Sequence, residues 1–290
     1  MSGRAESGLS QAAVVRGHFD EAGARWARRY GRQPRGMADL DLILRRENLH
    51  RLLRPVVAGR DKLLDVLDVG CGSGDVLDGF PRDGLRVTGV DFAPEMTAAA
   101  ARAHPMDRFL VGDAECLPVA PDSADVIICL GALEYVSDVP RALASMVAAL
   151  RRGGCMIVSF PNRRSVFRKI LKLERGAERI AVFLRDTISQ RDRQQPSAAG
   201  YRHRHWSAGG ARRLMAEAGL KVDEIVFNTI GPWGRLGRTR IALTAARQLS
   251  NRLRREGVLS GVLASTMVVR AEKTSGEPRN ADRSASRGHD

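Results

Sequence analysis

Apolar positions early in the chain recur at helical spacing. Leu40, Ile43, Leu44, Leu49, Leu52 and Leu53 share a stripe, which predicts a helix over 37–55 beside a second over 11–30. From Leu63 onward the texture changes to short apolar runs bounded by Gly, Asp and Pro. The runs at 63–69, 85–90, 108–111, 124–130, 155–160, 221–228 and 265–271 are expected to be strands. Helical patterns near 76–80, 94–103, 138–151 and 207–218 separate them, and 238–256 reads as a helical insertion before the last run. Nearly all-apolar strands alternating with helices predict an α/β fold. The expected architecture is a Rossmann-like, doubly wound, seven-stranded, mainly parallel sheet with helices on both faces. Around it are expected a helical N-terminal cap (1–58), a cofactor-binding core (59–162) and a basic helical lid insertion (163–206). The core resumes over 207–271, and 272–290 is expected to be a disordered tail, rich in Ser, Arg and Gly.

Composition narrows the class. At 290 residues, 43% hydrophobic and 28% charged, the chain is ordinary for a soluble globular protein. Collagen-like, fully disordered and multi-span membrane classes are excluded. The longest apolar runs, near 126–133 and 258–269, fall short of the roughly 18 residues a span needs. Cys71, Cys116, Cys129 and Cys155 form no CxxC pair, so no metal site is expected and a reducing cytoplasm is the expected location.

Charge is uneven. The net +14 is carried by two segments: 163–204, with twelve basic residues against four acids, and 235–255, with seven arginines and no acid. Solvated helix faces explain such segments, and so does a local anionic target: a substrate, a membrane surface or nucleic acid. Aromatic content of 5% argues against a base-stacking platform.

The most informative stretch is Leu67-Asp68-Val69-Gly70-Cys71-Gly72-Ser73-Gly74-Asp75. An apolar strand runs into three glycines in five residues, which permits a sharp turn and close approach of a ligand to the main chain. A dinucleotide fingerprint would need glycine at Asp75, and a phosphate loop would need a lysine next to a hydroxyl residue, so neither fits. The following strand ends in Asp91, seventeen residues after Gly74, where a carboxylate can accept bonds from a ribose diol or cap the helix starting at Pro94.

Five blocks in order, LDVGCGSGD, VTGVDFAPEM, GDAECLPVAPDSADVIIC, LEYVSD and LRRGGCMIVSFPN, resemble the class I S-adenosylmethionine-dependent methyltransferases, in particular the branch acting on quinones, lipids and small metabolites. The resemblance implies S-adenosylmethionine as cofactor. It implies that Gly70, Cys71, Gly72 and Gly74 line the methionine and ribose side and that Asp68 receives the methionine ammonium. Asp91 would hold the ribose hydroxyls, and Phe92 would flank the adenine. Asp113 would take the adenine amino group, Ala114 would donate a backbone bond, and Leu130 would close over the sulfonium.

The chain departs from many relatives at Glu134-Tyr135, where they carry Glu-His. Tyr135, with a reference pKa near 10, is a weak base, and His203 and His205 in Tyr201-Arg202-His203-Arg204-His205-Trp206 are the other catalytic candidates. His205 and Trp206 packing at a helix entry capped by Ser207 is the competing expectation. The place after the fourth strand reads Leu130-Gly131-Ala132-Leu133, without the Asn/Asp-Pro-Pro-aromatic run of nucleobase amine methylation. Cys129 and Cys155 sit inside strands, which does not suit a cytosine-attacking nucleophile. The expected activity is methyl transfer to a small, hydrophobic or lipid-like acceptor, at oxygen first and carbon second, with peripheral contact to anionic membrane. An RNA-associated methyltransferase or RNA-binding protein, and a catalytically silent partner subunit, are the alternatives. Apolar residues such as Val166, Phe167, Ile180 and Phe183 are expected in the lid, Ile241, Leu243, Leu249 and Leu253 in the later insertion. Trp26 and Tyr30 are expected to share a face of the N-terminal helix.

Overall fold

The computed structural model describes residues 16, 17, 19, 33–59, 62–171, 204–231 and 236–274. Seven strands form one sheet: β1 (Leu64–Val69), β2 (Leu85–Asp91), β3 (Arg108–Val111), β4 (Ala124–Cys129), β5 (Leu150–Pro161), β6 (Leu220–Asn228) and β7 (Thr266–Lys273). Their order is β3-β2-β1-β4-β5-β7-β6. The first five pair in parallel, and β7 runs antiparallel between β5 and β6. The mainly parallel, doubly wound sheet expected from the pattern is the one observed.

Successive strand side chains point to opposite faces, so strands apolar throughout need cover on both sides. On one face Leu67, Ile127, Met156 and Phe160 pack with Leu143 and Met146 of α3 (Val139–Ala149) and Met215 of α4 (Ala208–Glu217). On the other, Val66, Val126, Ile128 and Ile157 meet Leu49, Leu52 and Leu53 of α1 (Met37–Val57). That corrects the N-terminal cap: 37–57 is a layer of the core, because its leucine stripe is the cover the second sheet face requires. Of the remaining helices, α2 (Pro94–Ala103) opens with proline in its first turn, and α5 (Arg240–Arg252) is capped by Thr239. A short α6 (Val258–Leu263) follows. Phe227 of β6 is 2% exposed within the first of these cores. Phe227→Ala should cost about 3–5 kcal/mol in a denaturant melt, the usual range for emptying a buried aromatic site.

Other expectations need correcting. The helix near 76–80 is only a 3₁₀ turn at Asp75–Leu77, since Gly74, Gly79, Pro81 and Gly84 leave too short a stretch to nucleate an α-helix. The start of the expected tail at 272 is also corrected: Glu272 and Lys273 pair with Lys221 and Leu220, and Lys273 Nζ donates to the Val147 carbonyl at 2.8 Å. The apolar run at 258–269 divides into α6 and β7. In the 238–256 insertion Leu243 is buried against Met37, Leu40 and Leu44, whereas Ile241 is 83% exposed. Trp26, Tyr30, Ile180, Phe183, His203 and most of the expected lid and tail lie outside the described residues. Among the described residues no helix is long and apolar enough to cross a membrane.

Candidate active site

The chain leaves β1 through Gly70, whose φ is +71°. A Cβ there would lie 2.2 Å from the Cβ of Ala132, so the turn after β1 and the turn after β4 approach as closely as only glycine allows. The Gly70 and Cys71 N–H groups both donate to the Val90 carbonyl, at 2.7 and 3.1 Å. Asp91 then braces the loop from the next strand. Its Oδ2 accepts the Gly72 N–H at 2.8 Å and its Oδ1 the Ala93 N–H at 2.9 Å. One carboxylate therefore shapes the glycine turn and the entry to α2 together.

Above these turns opens a cleft of roughly 250 Å³. Of the residues singled out in the sequence, Gly70, Cys71, Gly72, Asp91, Phe92, Asp113, Ala114, Leu130 and Tyr135 line it. Arg16 and Phe19, from the helical N-terminal segment, form part of its wall. The Arg16 guanidinium lies 4.1 Å over the Phe92 ring, and Phe19 meets Tyr135 edge-on at 5.2 Å. Asp113 Oδ1 accepts the Glu115 N–H at 2.9 Å, which fixes the turn beyond β3. Glu115 in turn accepts from the Ser137 and Asp138 N–H groups, tying this turn to the start of α3.

Asp68 stands behind the lining rather than in it. It is 3% exposed and its Oδ1 has no hydrogen-bond partner. Burial, with the neighbouring Asp91 charge, pushes its pKa up to about 8. Gly74 is a correction: it faces away from the cleft, and a Cβ there would meet the His104 ring at 2.6 Å. His205 is not among the described lining residues; its Nε2 lies 3.4 Å from Nη1 of Arg168, which is. Its neighbours do structural work. Trp206 packs edge-on against Phe160 at 5.3 Å, and Ser207 caps α4 by accepting the Gly210 N–H. Asp75, Asp78 and His104 bring one potential ligand atom each within 4.8 Å of one another, but none lines the cleft. Burial pushes the Cys71 and Cys129 thiols upward, so neither is a ready nucleophile.

The far wall holds three residues the motifs do not announce, Asp41, Arg45 and Arg168, beside Glu134 of the LEYVSD block. Arg45 Nε donates to Asp41 Oδ2 at 2.8 Å, and its Nη1 lies 4.0 Å from Glu134 Oε1. Arg168 Nε donates to the Ser265 carbonyl at 3.0 Å. Burial opposes the Asp41 charge, yet Arg45 and Arg168 outweigh it and hold the carboxyl below its ordinary range. At Glu134 burial prevails and the pKa rises. The available signal was Asp41 and Arg45, one turn apart and interrupting the leucine stripe of a helix that packs on the sheet.

A glycine turn at the point where strand order reverses, between β1 and β4, defines a protein that binds a nucleoside-type ligand across the carboxyl ends of its strands. The acids beside it favour a cationic ligand over a phosphate, and the unpartnered oxygen of Asp68 fits an ammonium group. Comparison with known proteins carries this further. Residues 67–158 match the family model described as a methyltransferase domain. The chain is 31% identical over 174 residues to a ubiquinone biosynthesis O-methyltransferase of Pseudomonas aeruginosa, covering 58% of this chain and 68% of that one. It is 36% identical over 128 residues to a malonyl-[acyl-carrier protein] O-methyltransferase of Pectobacterium atrosepticum, covering 44% of this chain and 49% of the relative, about half its length. The fold aligns with the crystal structure of a magnesium protoporphyrin IX methyltransferase from Synechocystis at a TM-score of 0.60 and 18% identity, over 91% of this chain and all of that one. The chain belongs to the class I S-adenosylmethionine-dependent methyltransferases.

Proposed function

We propose that this protein transfers the methyl group of S-adenosylmethionine to an oxygen atom of a small metabolite with an apolar body. When bound, the cofactor supplies an electrophilic methyl on a sulfonium, and sulfur keeps the bonding pair when that methyl leaves. Asp91 would hold the ribose hydroxyls, Phe92 would flank the adenine and Asp113 would accept its amino group. Asp68, behind the loop, would answer the methionine ammonium. The observation that carries the reading is the Asp91 carboxylate, which braces the Gly72 turn with one oxygen and the entry to α2 at Ala93 with the other, at the edge of the cleft. Beyond the glycine turn, Phe19, Ala38, Leu42, Leu130 and Val136 give an apolar wall suited to the acceptor. Positioning the acceptor in a water-poor cleft supplies much of the acceleration such a displacement needs. The names of the two O-methyltransferase relatives support oxygen as the receiving atom. A screen with labelled methyl donor over phenols, hydroxyquinones and carboxylic acids should put label into ethers or esters. Label found only on carbon or nitrogen, or in no acceptor at all, would overturn the reading.

Peripheral contact with an anionic membrane belongs to the same proposal. Ile241, Val258 and Leu259 are 83%, 85% and 62% exposed in a segment that also carries Arg240, Arg252, Arg254 and Arg255. Vesicles containing phosphatidylglycerol should float with the protein, and Val258→Asp with Leu259→Asp should abolish this. Equal flotation of the double variant would remove membrane contact from the account.

A further inference from the structure

We infer that Glu134 is the group that receives the acceptor's proton and that the acceptor presents an O–H to it. The inference rests on the methyl-transfer reading above and assigns a role to a residue of the LEYVSD block to which the resemblance gave none. Glu134 lines the cleft just beyond the tip of β4, is 4% exposed, and keeps its Oε2 buried with no hydrogen-bond partner. A buried carboxyl oxygen left unpaired is costly, and in a binding cleft it marks a bond that a ligand completes. The complement of a carboxylate oxygen is a donor, which a hydroxyl offers and a C–H does not.

The surroundings hold Glu134 in place. A Cβ at Gly131 would lie 2.7 Å from Arg45 Nη1, so the missing side chain is what lets that guanidinium reach the tip of β4. The charged and titratable groups facing Glu134 are Asp41 and Arg45 from α1, Arg168 from the helix starting at 166, and Cys129 from β4, with Tyr135 adjoining. None of these others serves as the base. The arginines are permanent cations, Asp41 is committed to Arg45, and burial pushes the Cys129 thiol upward. A phenol is by nature a weak base, and His205 is not among the described residues that line the cleft. Burial raises the proton affinity of Glu134 above that of an ordinary carboxylate, which favours a base working near neutral pH.

The step balances. The acceptor O–H bond breaks and its proton passes to the Glu134 carboxylate. The oxygen's electron pair forms the new bond to the methyl carbon, while the pair of the methyl–sulfur bond stays on sulfur. One positive and one negative charge disappear together, which a low-dielectric cleft favours.

Calorimetry in buffers of different ionisation enthalpy tests this without an acceptor. S-adenosylmethionine and S-adenosylhomocysteine share the ammonium and differ in the sulfonium, so their difference in proton release isolates a carboxyl near the transferring methyl. At pH values above the ordinary carboxylate range the wild-type protein should release more proton with the former. Glu134→Gln should lose that difference while binding S-adenosylhomocysteine within about twofold, and His205→Gln should keep it. If Glu134→Gln does not fold, Glu134→Asp, which withdraws the carboxyl, should shrink the difference. On a phenol that the wild-type protein methylates, Glu134→Gln should lower kcat about 100-fold or more with KM little changed. Equal proton release by the two compounds in the wild-type protein, or a difference that survives substitution, would overturn the role of Glu134. Absence of binding by either compound would instead overturn the methyltransferase reading.

Discussion

Asp91→Ala is expected to weaken S-adenosylhomocysteine binding at least about 100-fold, with the fold intact by circular dichroism. A single hydrogen bond to a charged group contributes roughly 1.5–3 kcal/mol, and loss of a ribose contact alone would fall in that range. Asp91 does more, because its two oxygens also hold the Gly72 and Ala93 N–H groups. Removing the carboxylate frees the glycine turn as well as the ligand contact, so both losses fall on one measurement. Asp91→Asn, which retains one acceptor oxygen, should give an intermediate loss. Titration calorimetry on the three proteins checks the order, and unchanged affinity in the alanine variant would remove Asp91 from the site.

The second large effect is a pH dependence set by Asp68. In the folded, ligand-free protein its pKa stands at about 8, against an ordinary value of 3.8. Below the lower value both folded and unfolded chains hold the proton and the group is neutral to stability. Between the two the unfolded chain has released it and the folded chain has not, so stability falls as pH rises. The limiting slope is about 1.4 kcal/mol per pH unit for one proton, and the full penalty is present above about pH 8. Asp68→Asn should remove this slope and melt higher than the wild type under mildly alkaline conditions. A bound ammonium reverses the preference, because it favours the ionised carboxylate. Cofactor binding should therefore release a proton, and affinity should increase as pH approaches 8, in the wild type but not in Asp68→Asn. Parallel melting curves for the two proteins from acid to alkaline pH would contradict the assignment.

The sheet was legible because its strands are apolar on both faces, a property that only a doubly covered sheet satisfies. The glycine loop and Asp91 were legible because backbone geometry at the switch point restricts the residue types there. Other features depend on distant contacts. Nothing in the local pattern of Met37–Val57 says that it closes the second sheet face, since that follows from what Val126, Ile128 and Ile157 lack. Gly74 looked equivalent to Gly70 and Gly72, yet the chain turns it toward His104. Periodicity cannot distinguish a buried Asp41 and Arg45 from surface charges. Their role emerges only when α1, the tip of β4 and the helix starting at 166 meet at Glu134.

Titration of the purified protein with S-adenosylhomocysteine tests the core of the account most directly. The expected result is saturable binding of one molecule per chain in the micromolar range, with a higher melting temperature in its presence. No heat of binding and no thermal shift at millimolar concentrations of this compound or of S-adenosylmethionine would contradict the account at its root.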